Sequence, residues 1–147
     1  MATASSAACS TNDLKITIGD DGGGAAGSFY SAIDFTNTSK ASCTLYGYPG
    51  VSLRDSSFGQ IGAAAVRGTT TAPSVVTLAP GATGNAVLRM TDPGVYSPGT
   101  CHQATSSYLM IYPPNQTESY ELPFKEPTCS NSSIKMLTVN VVAKGKI

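Results

Sequence analysis

Apolar residues in this chain recur at every second position in segment after segment, and the helical repeat is nearly absent. A β backbone points successive side chains to opposite faces, so such alternation buries one face and leaves the other to solvent. In DLKITIG, Leu14, Ile16 and Ile18 share a face. In SFYSAIDFTN, Phe29, Ile33 and Phe35 fall on one face and Tyr30, Asp34 and Thr36 on the other. The stretch SVVTLAPGATGNAVLRMTD reads as strand, Pro-Gly turn, strand. Its apolar set is Val75 with Thr77 or Val76 with Leu78, then Ala86, Leu88 and Met90. SYLMIYPP is a strand closed by Pro113 and Pro114, ESYELPF a short one, and SIKMLTVNVVAK the last, with Met136 or Leu137, Val139 and Val141 in register. QIGAAAVRG is a short strand or a loose edge.

Between these runs lie turn signals: GDDGGGAAG, NTSKAS, DSSFG and DPGVYSPGT with its two Pro-Gly pairs. Eight or nine short strands at this spacing predict an all-β chain, an immunoglobulin-like antiparallel β-sandwich around one core. The absence of Trp removes the tryptophan that marks antibody domains, so the likeness is one of architecture only. A length of 147 residues suits one domain that buries a core without a metal or cofactor. Residues 1–8 read as a flexible lead-in and 9–147 as a single sandwich domain.

Within CTLYGYPGVSLRD the alternation breaks. Cys43 and Leu45 alternate before Gly47-Tyr48-Pro49-Gly50, and Val51 and Leu53 after it. Pro49 has no N–H to donate, so a central strand does not run straight through it. The stretch predicts a kink at which the chain crosses from one sheet to the other, with Gly47 and Gly50 taking the unusual dihedrals.

The four cysteines Cys9, Cys43, Cys101 and Cys129 are far apart, with no C-x-x-C pair and no Cys/His cluster, which argues against a zinc site. His102, the sole histidine, follows Cys101 directly and on a strand would point to the opposite face. Two disulfides are expected. Of the three possible connectivities, Cys9–Cys43 with Cys101–Cys129 is preferred because each bridge then staples one half of the chain. Closing loops of 34 and 28 residues contributes about 3–4 kcal/mol each on chain-entropy grounds. Two bridges imply an oxidising compartment, and hence a secreted or cell-surface protein.

Charge excludes other classes. Nine Lys plus Arg balance nine Asp plus Glu, and the cations are scattered, so nucleic-acid binding through phosphate neutralisation is not expected. No apolar run is long enough to span a bilayer as a helix. The N-terminal MATASSAACS lacks the charged and apolar regions of a signal peptide. No G-x-S-x-G elbow, H-E-x-x-H helix or Walker loop occurs. Asp20 and Asp21 lack calcium-loop spacing, and Asp34 and Asp55 are isolated along the sequence, so no catalytic residue, metal or cofactor is assigned. The N-x-S/T triplets at Asn37, Asn115 and Asn131 read as chance in a chain rich in Ser and Thr.

Tyrosine is the one suggestive feature, with seven Tyr against four Phe. Tyr46 and Tyr48 flank the break, and Tyr108, Tyr112 and Tyr120 lie near the proline pair. A tyrosine offers a flat apolar body with a polar tip, suited to protein partners and to sugars. Tyr46, Tyr48 and Tyr112 are the candidate binding residues. Against this stands packing in the core with the hydroxyls bonded to backbone, as in a tyrosine corner.

A cysteine before LKITIG, then AAGSFYSAIDFTNTSKASCTLYGYPGVSL, VTLAPGATGNAVLRMTD, C…LMIYPPNQT and C…LTV, together resemble the DUF4232 family. The FTN-x-S…C-x-L-x-GYPGV block carries most of the likeness, which runs from Cys9 to Val142. The resemblance implies export, a β-sandwich and residence in the cell envelope of a Gram-positive actinomycete; it carries over no activity and no catalytic residue. The expected function is a non-catalytic extracellular or envelope module that recognises a protein partner through loops or a sheet edge. Wall-polysaccharide recognition through exposed tyrosines is the alternative, and an unrecognised hydrolase ranks below both.

Overall fold

The computed structural model describes residues 7–25 and 27–145, with the side chains of residues 20–25 outside that description. The fold is all-β. In chain order the strands are β1 (Leu14–Ala25), β2 (Ser28–Asn37), β3 (Cys43–Tyr46), β4 (Gly50–Arg54), β5 (Gln60–Ile61), β6 (Val66–Arg67) and β7 (Val75–Leu78). They continue as β8 (Thr83–Thr91), β9 (Gln103–Thr105), β10 (Tyr108–Tyr112), β11 (Tyr120–Pro123), β12 (Pro127–Cys129), β13 (Leu137–Val139) and β14 (Ala143–Lys144). Fourteen strands among the described residues exceed the eight or nine expected, because six of the fourteen are two- or three-residue pieces, and five of these, β5, β6, β9, β12 and β14, leave little periodic signal.

β1, β2, β8, β13 and β6 run side by side in one sheet, which β14 joins by pairing with β8. A second sheet has the order β11-β10-β4-β5, and two ribbons, β12-β9 and β3-β7, complete the set. Between these strands pairing is antiparallel except for β13 and β6, which run parallel, and Ala8 forms a further parallel bridge with Thr44. The inward residues Ile16, Ile33, Phe35, Leu88, Met90 and Val139 of the first sheet and Val51, Leu53, Leu109 and Ile111 of the second belong to one apolar cluster. Val76 and Leu78 are the buried pair of β7, and Val75 and Thr77 face out. At the C-terminal end Leu137 and Val139 join the core cluster as expected, but β13 ends at Val139 and it is Val142, not Val141, that joins the cluster beyond it.

GDDGGGAAG departs from the turn expected of it. β1 continues through it to Ala25, and its register against β2 shifts between Asp20 and Gly24. Glycines accept the irregular dihedrals of a bulge, so the hairpin lengthens and the reversal closes at Gly27. Asp20 and Asp21 lie in this stretch, with side chains outside the described residues. Of the expected lead-in, residues 1–6 lie outside the described residues. Ala7 accepts a hydrogen bond from the Thr44 amide, and Cys9 donates one to the Thr44 carbonyl. The chain therefore pairs along the outer edge of β3 from Ala7 onward.

Both bridges join the preferred pairs, Cys9–Cys43 and Cys101–Cys129, and all four cysteines are buried in the core. Two disulfides place the domain in an oxidising, non-cytoplasmic setting. Among the described residues no helix is long and apolar enough to cross a membrane. Cys101 is not on a strand: it ends the short helix α1 (Pro98–Cys101), and His102 caps it in the left-handed conformation at φ 51°. Each Pro-Gly pair of DPGVYSPGT starts a helical turn, Pro93–Val95 and α1, because a proline presets φ at a helix start.

Residues 47–49 carry the chain from the β3-β7 ribbon into β4 of the second sheet. Gly47 takes φ +97°, whereas Gly50 opens β4 outside the left-handed region, opposite Tyr112. The reversal therefore rests on Gly47 alone, a correction to the expectation for Gly50. A second glycine carries a constraint that sequence spacing did not reveal. Gly62 sits at φ +69°, and a Cβ there would lie 2.9 Å from the Cys129 carbonyl oxygen.

These environments predict an order of substitution costs, measured as urea-unfolding free energies. Gly50→Ala falls within about 0.5 kcal/mol of the parent. Gly47→Ala, where space is open but φ is positive, costs about 1–2 kcal/mol. Gly62→Ala costs more than Gly47→Ala, since strain and a backbone collision add. Equal costs at Gly47 and Gly50 would refute the assignment of the reversal.

Candidate functional site

Tyr46 closes β3 opposite Val75 of β7. Directly opposed residues of an antiparallel pair share a face, and here it is the solvent face: Tyr46 is 49% and Val75 64% exposed. After Tyr46 the left-handed turn at Gly47 swings the chain, so Tyr48 does not simply repeat the direction of Tyr46. It is half-buried against the core, and its hydroxyl donates to the Gly68 carbonyl. The Arg67 guanidinium lies over the Tyr48 ring, 5.1 Å from its centroid, a cation–π arrangement.

The two candidate tyrosines thus divide between the readings considered. Tyr48 is anchored to backbone as a packing residue, and Tyr46 stands in solvent. Both line one shallow recess of about 190 Å³, together with Gly47, Arg67, Pro73 and Asn115. The Asn115 side-chain amide donates to the Tyr46 carbonyl at 3.4 Å. Tyr112, the third candidate, does not line it. It lies half-buried on β10 beside Gly50, on the outward side of the second sheet with Tyr108 and Met110.

Arg67, Pro73 and Asn115 were not among the sequence candidates. They come from a two-residue strand, a loop and a turn, where periodicity gives no signal. The same holds for Phe58, in the turn after β4 at φ 64°, whose ring stacks on Tyr108 with centroids 4.6 Å apart. The tight Asp55 turn presents it: the Asp55 carboxylate accepts from the amides of Ser57 and Gly59.

A larger groove of about 350 Å³ opens along β7, lined by Thr71, Ala72, Ser74, Val75, Val76, Thr77, Val141, Val142, Ala143 and Lys144. A third hollow of about 250 Å³ is formed by Pro93, Gly94, Tyr96, Pro98, Cys101 and Gln103. His102 is exposed next to it and does not line it. Asp34 is buried in β2 of the first sheet, and Asp55 follows β4 of the second. Among the described residues no three His, Cys, Asp or Glu side chains converge as a metal site.

All three N-x-S/T asparagines are used internally. Asn37 is fully buried and donates to the carbonyls of Ala41 and Leu78. Asn115 donates to Tyr46 and Asn131 to the Thr100 carbonyl.

Tyr48→Phe removes the bond to Gly68 and is expected to lower unfolding free energy by about 1 kcal/mol. Tyr46→Ala is expected to change it by no more than about 0.5 kcal/mol. Urea titration of both variants checks this, and the reverse order would exchange the roles assigned to the two rings.

The search of curated proteins returns no match, and neither does the search of solved structures. A family model does match, over residues 9–143 and so over nearly the whole chain. The chain belongs to the DUF4232 family, a domain of unknown function.

Proposed function

We propose that this domain is a non-catalytic binding module, secreted or held at the cell surface, that recognises a protein partner with the β3-β7 end of an immunoglobulin-like sandwich. The observation that carries this reading is the pair Tyr46 and Val75, two large apolar side chains held side by side in solvent beside a recess. Tyrosine is enriched at interface centres because it supplies large area with little rotamer entropy to lose. The ribbon beneath is rigid, since Cys43 of β3 is bridged to Cys9 and both are buried. The paired sheets sharing one core support the sandwich, and the two bridges support export.

A second reading has its own observation. Tyr46 projects outward over a recess that also holds Arg67 and the Asn115 amide, a combination of flat ring and polar donors that suits a sugar of the cell wall.

Co-sedimentation of the oxidised domain with purified actinobacterial cell walls, before and after protease and detergent stripping, separates the two. Binding lost on stripping, and lost in the Tyr46→Ala, Val75→Ser double variant, is the expected result. Binding that survives stripping and falls in Tyr46→Ala would replace the protein partner with polysaccharide. No binding to either preparation would overturn both.

A further inference from the structure

The hydrogen-bond pattern of β3 fixes which backbone groups of β7 are open. Thr44 directs both its amide and its carbonyl away from β7, to Ala7 and Cys9. In antiparallel pairing, bonded and non-bonded pairs alternate. Thr44↔Thr77 and Tyr46↔Val75 are therefore non-bonded pairs, while Leu45↔Val76 and Cys43↔Leu78 exchange the bonds. It follows that the amides and carbonyls of Val75 and Thr77 point to the outer edge of β7. Among the described residues that edge pairs with no other strand, and Val75 and Thr77 are exposed.

Proteins guard long open edges with charges or prolines, because an unguarded edge recruits another strand. Of the other edge strands of four or more residues among the described residues, β1 carries Lys15, Asp20 and Asp21, β11 carries Glu121 and Pro123, and β3 is covered along its outer edge by Ala7–Cys9. β7 reads Val-Val-Thr-Leu, with neither charge nor proline. Beside it runs the 350 Å³ groove, with Val141 and Val142 buried in its lining and Ala143 and Lys144 beyond them.

The charged side chains that line the two hollows are both cations. Among the described residues, Lys144 is the only charged residue lining the groove, and Arg67 the only one lining the recess. Arg54 donates to Ser52, Phe58 and Gln60, and Arg89 donates to Ser28. The contact shown for Arg67 is the face of Tyr48, a ring itself fixed to Gly68. Its planar fork of donors is thus held in place and matches a carboxylate.

We infer that the open edge of β7 takes up an extended acidic segment of a partner protein as an added strand, its carboxylates meeting Lys144 in the groove and Arg67 at the recess. The inference rests on the reading of this end as a protein-binding surface, and adds the partner's conformation and charge. Main-chain bonds to Val75 and Thr77 supply register, and the cations select sequence.

The test uses the oxidised domain and three synthetic peptides read by fluorescence anisotropy. One alternates valine with glutamate, one alternates valine with lysine, and one is the glutamate peptide with alternate backbone nitrogens methylated. The glutamate peptide is expected to bind at least about tenfold more tightly than either of the others, to weaken with salt, and to slow amide exchange at Val75 and Thr77. The Arg67→Glu, Lys144→Glu double variant is expected to prefer the lysine peptide. Equal affinity for the three peptides, binding to none, or unchanged exchange at Val75 and Thr77 would overturn the inference. So would a dimer in sedimentation velocity that dissolves in Val75→Lys, since the edge would then belong to a second copy. Thr77→Pro, checked for native unfolding behaviour, separates this inference from the reading beneath it. Retention of wall-protein binding by Thr77→Pro, with loss in Tyr46→Ala, Val75→Ser, would overturn the added strand and leave the binding surface standing. Loss in both supports the inference, and retention in both overturns the two together.

Discussion

Strand β8 (Thr83–Thr91) is the element on which the rest of the structure depends. One edge is bonded along its length to β2, and the other is shared by β13 and β14. Its inward residues are graded in size, from Gly84 through Ala86 to Leu88 and Met90, all buried. At the small end the β3-β7 ribbon settles directly onto the sheet. A Cβ on Gly84 would lie 3.5 Å from Leu78 and 3.6 Å from Val76. Close packing leaves no room for a void at such a contact, so the size of residue 84 sets where the ribbon lies and which face of β7 is turned outward.

With the ribbon seated, its solvent face is decided by pairing. Leu45, Val76, Cys43 and Leu78 face the core, so Tyr46, Val75, Thr44 and Thr77 face water. The left-handed turn at Gly47 then removes the chain to the second sheet and leaves Tyr46 at the end of its strand. Asn37 reinforces the same corner. Its buried side chain joins the end of β2 to Ala41 and to Leu78 of β7 through two donated bonds, satisfying a carbonyl that burial would otherwise leave costly. The exposed aromatic is therefore a consequence of a rigid corner, which favours binding by lowering the entropy lost on contact.

Some features were legible without coordinates because they are local. Val51 and Leu53, Ala86 through Met90, and Leu137 with Val139 were readable from alternation, since period two survives wherever one face is buried. The disulfides join the pairs preferred among three connectivities, in which each bridge staples one half of the chain. The glycine run at residues 19–27 misled, because the same residues that permit a turn also permit a bulge within a longer hairpin. The helix that ends at Cys101 and that His102 caps left no trace in the sequence, because a four-residue helix begun by Pro98 is too short to show a period.

The sequence by itself determined the all-β class, the identity of most core residues, that the four cysteines form disulfides, and the break at Gly47-Tyr48-Pro49. Each of these depends on contacts between near neighbours or on the chemistry of a single residue type. Only the tertiary structure decided that Tyr46 is exposed while Tyr48 is tied to Gly68, that Tyr112 belongs to a different surface, and that Arg67, Pro73 and Asn115 gather around the first two. Those positions are brought together by sheet order, with partners 20 to 69 residues apart along the chain. Alternation in one strand carries no information about which distant loop will cover it.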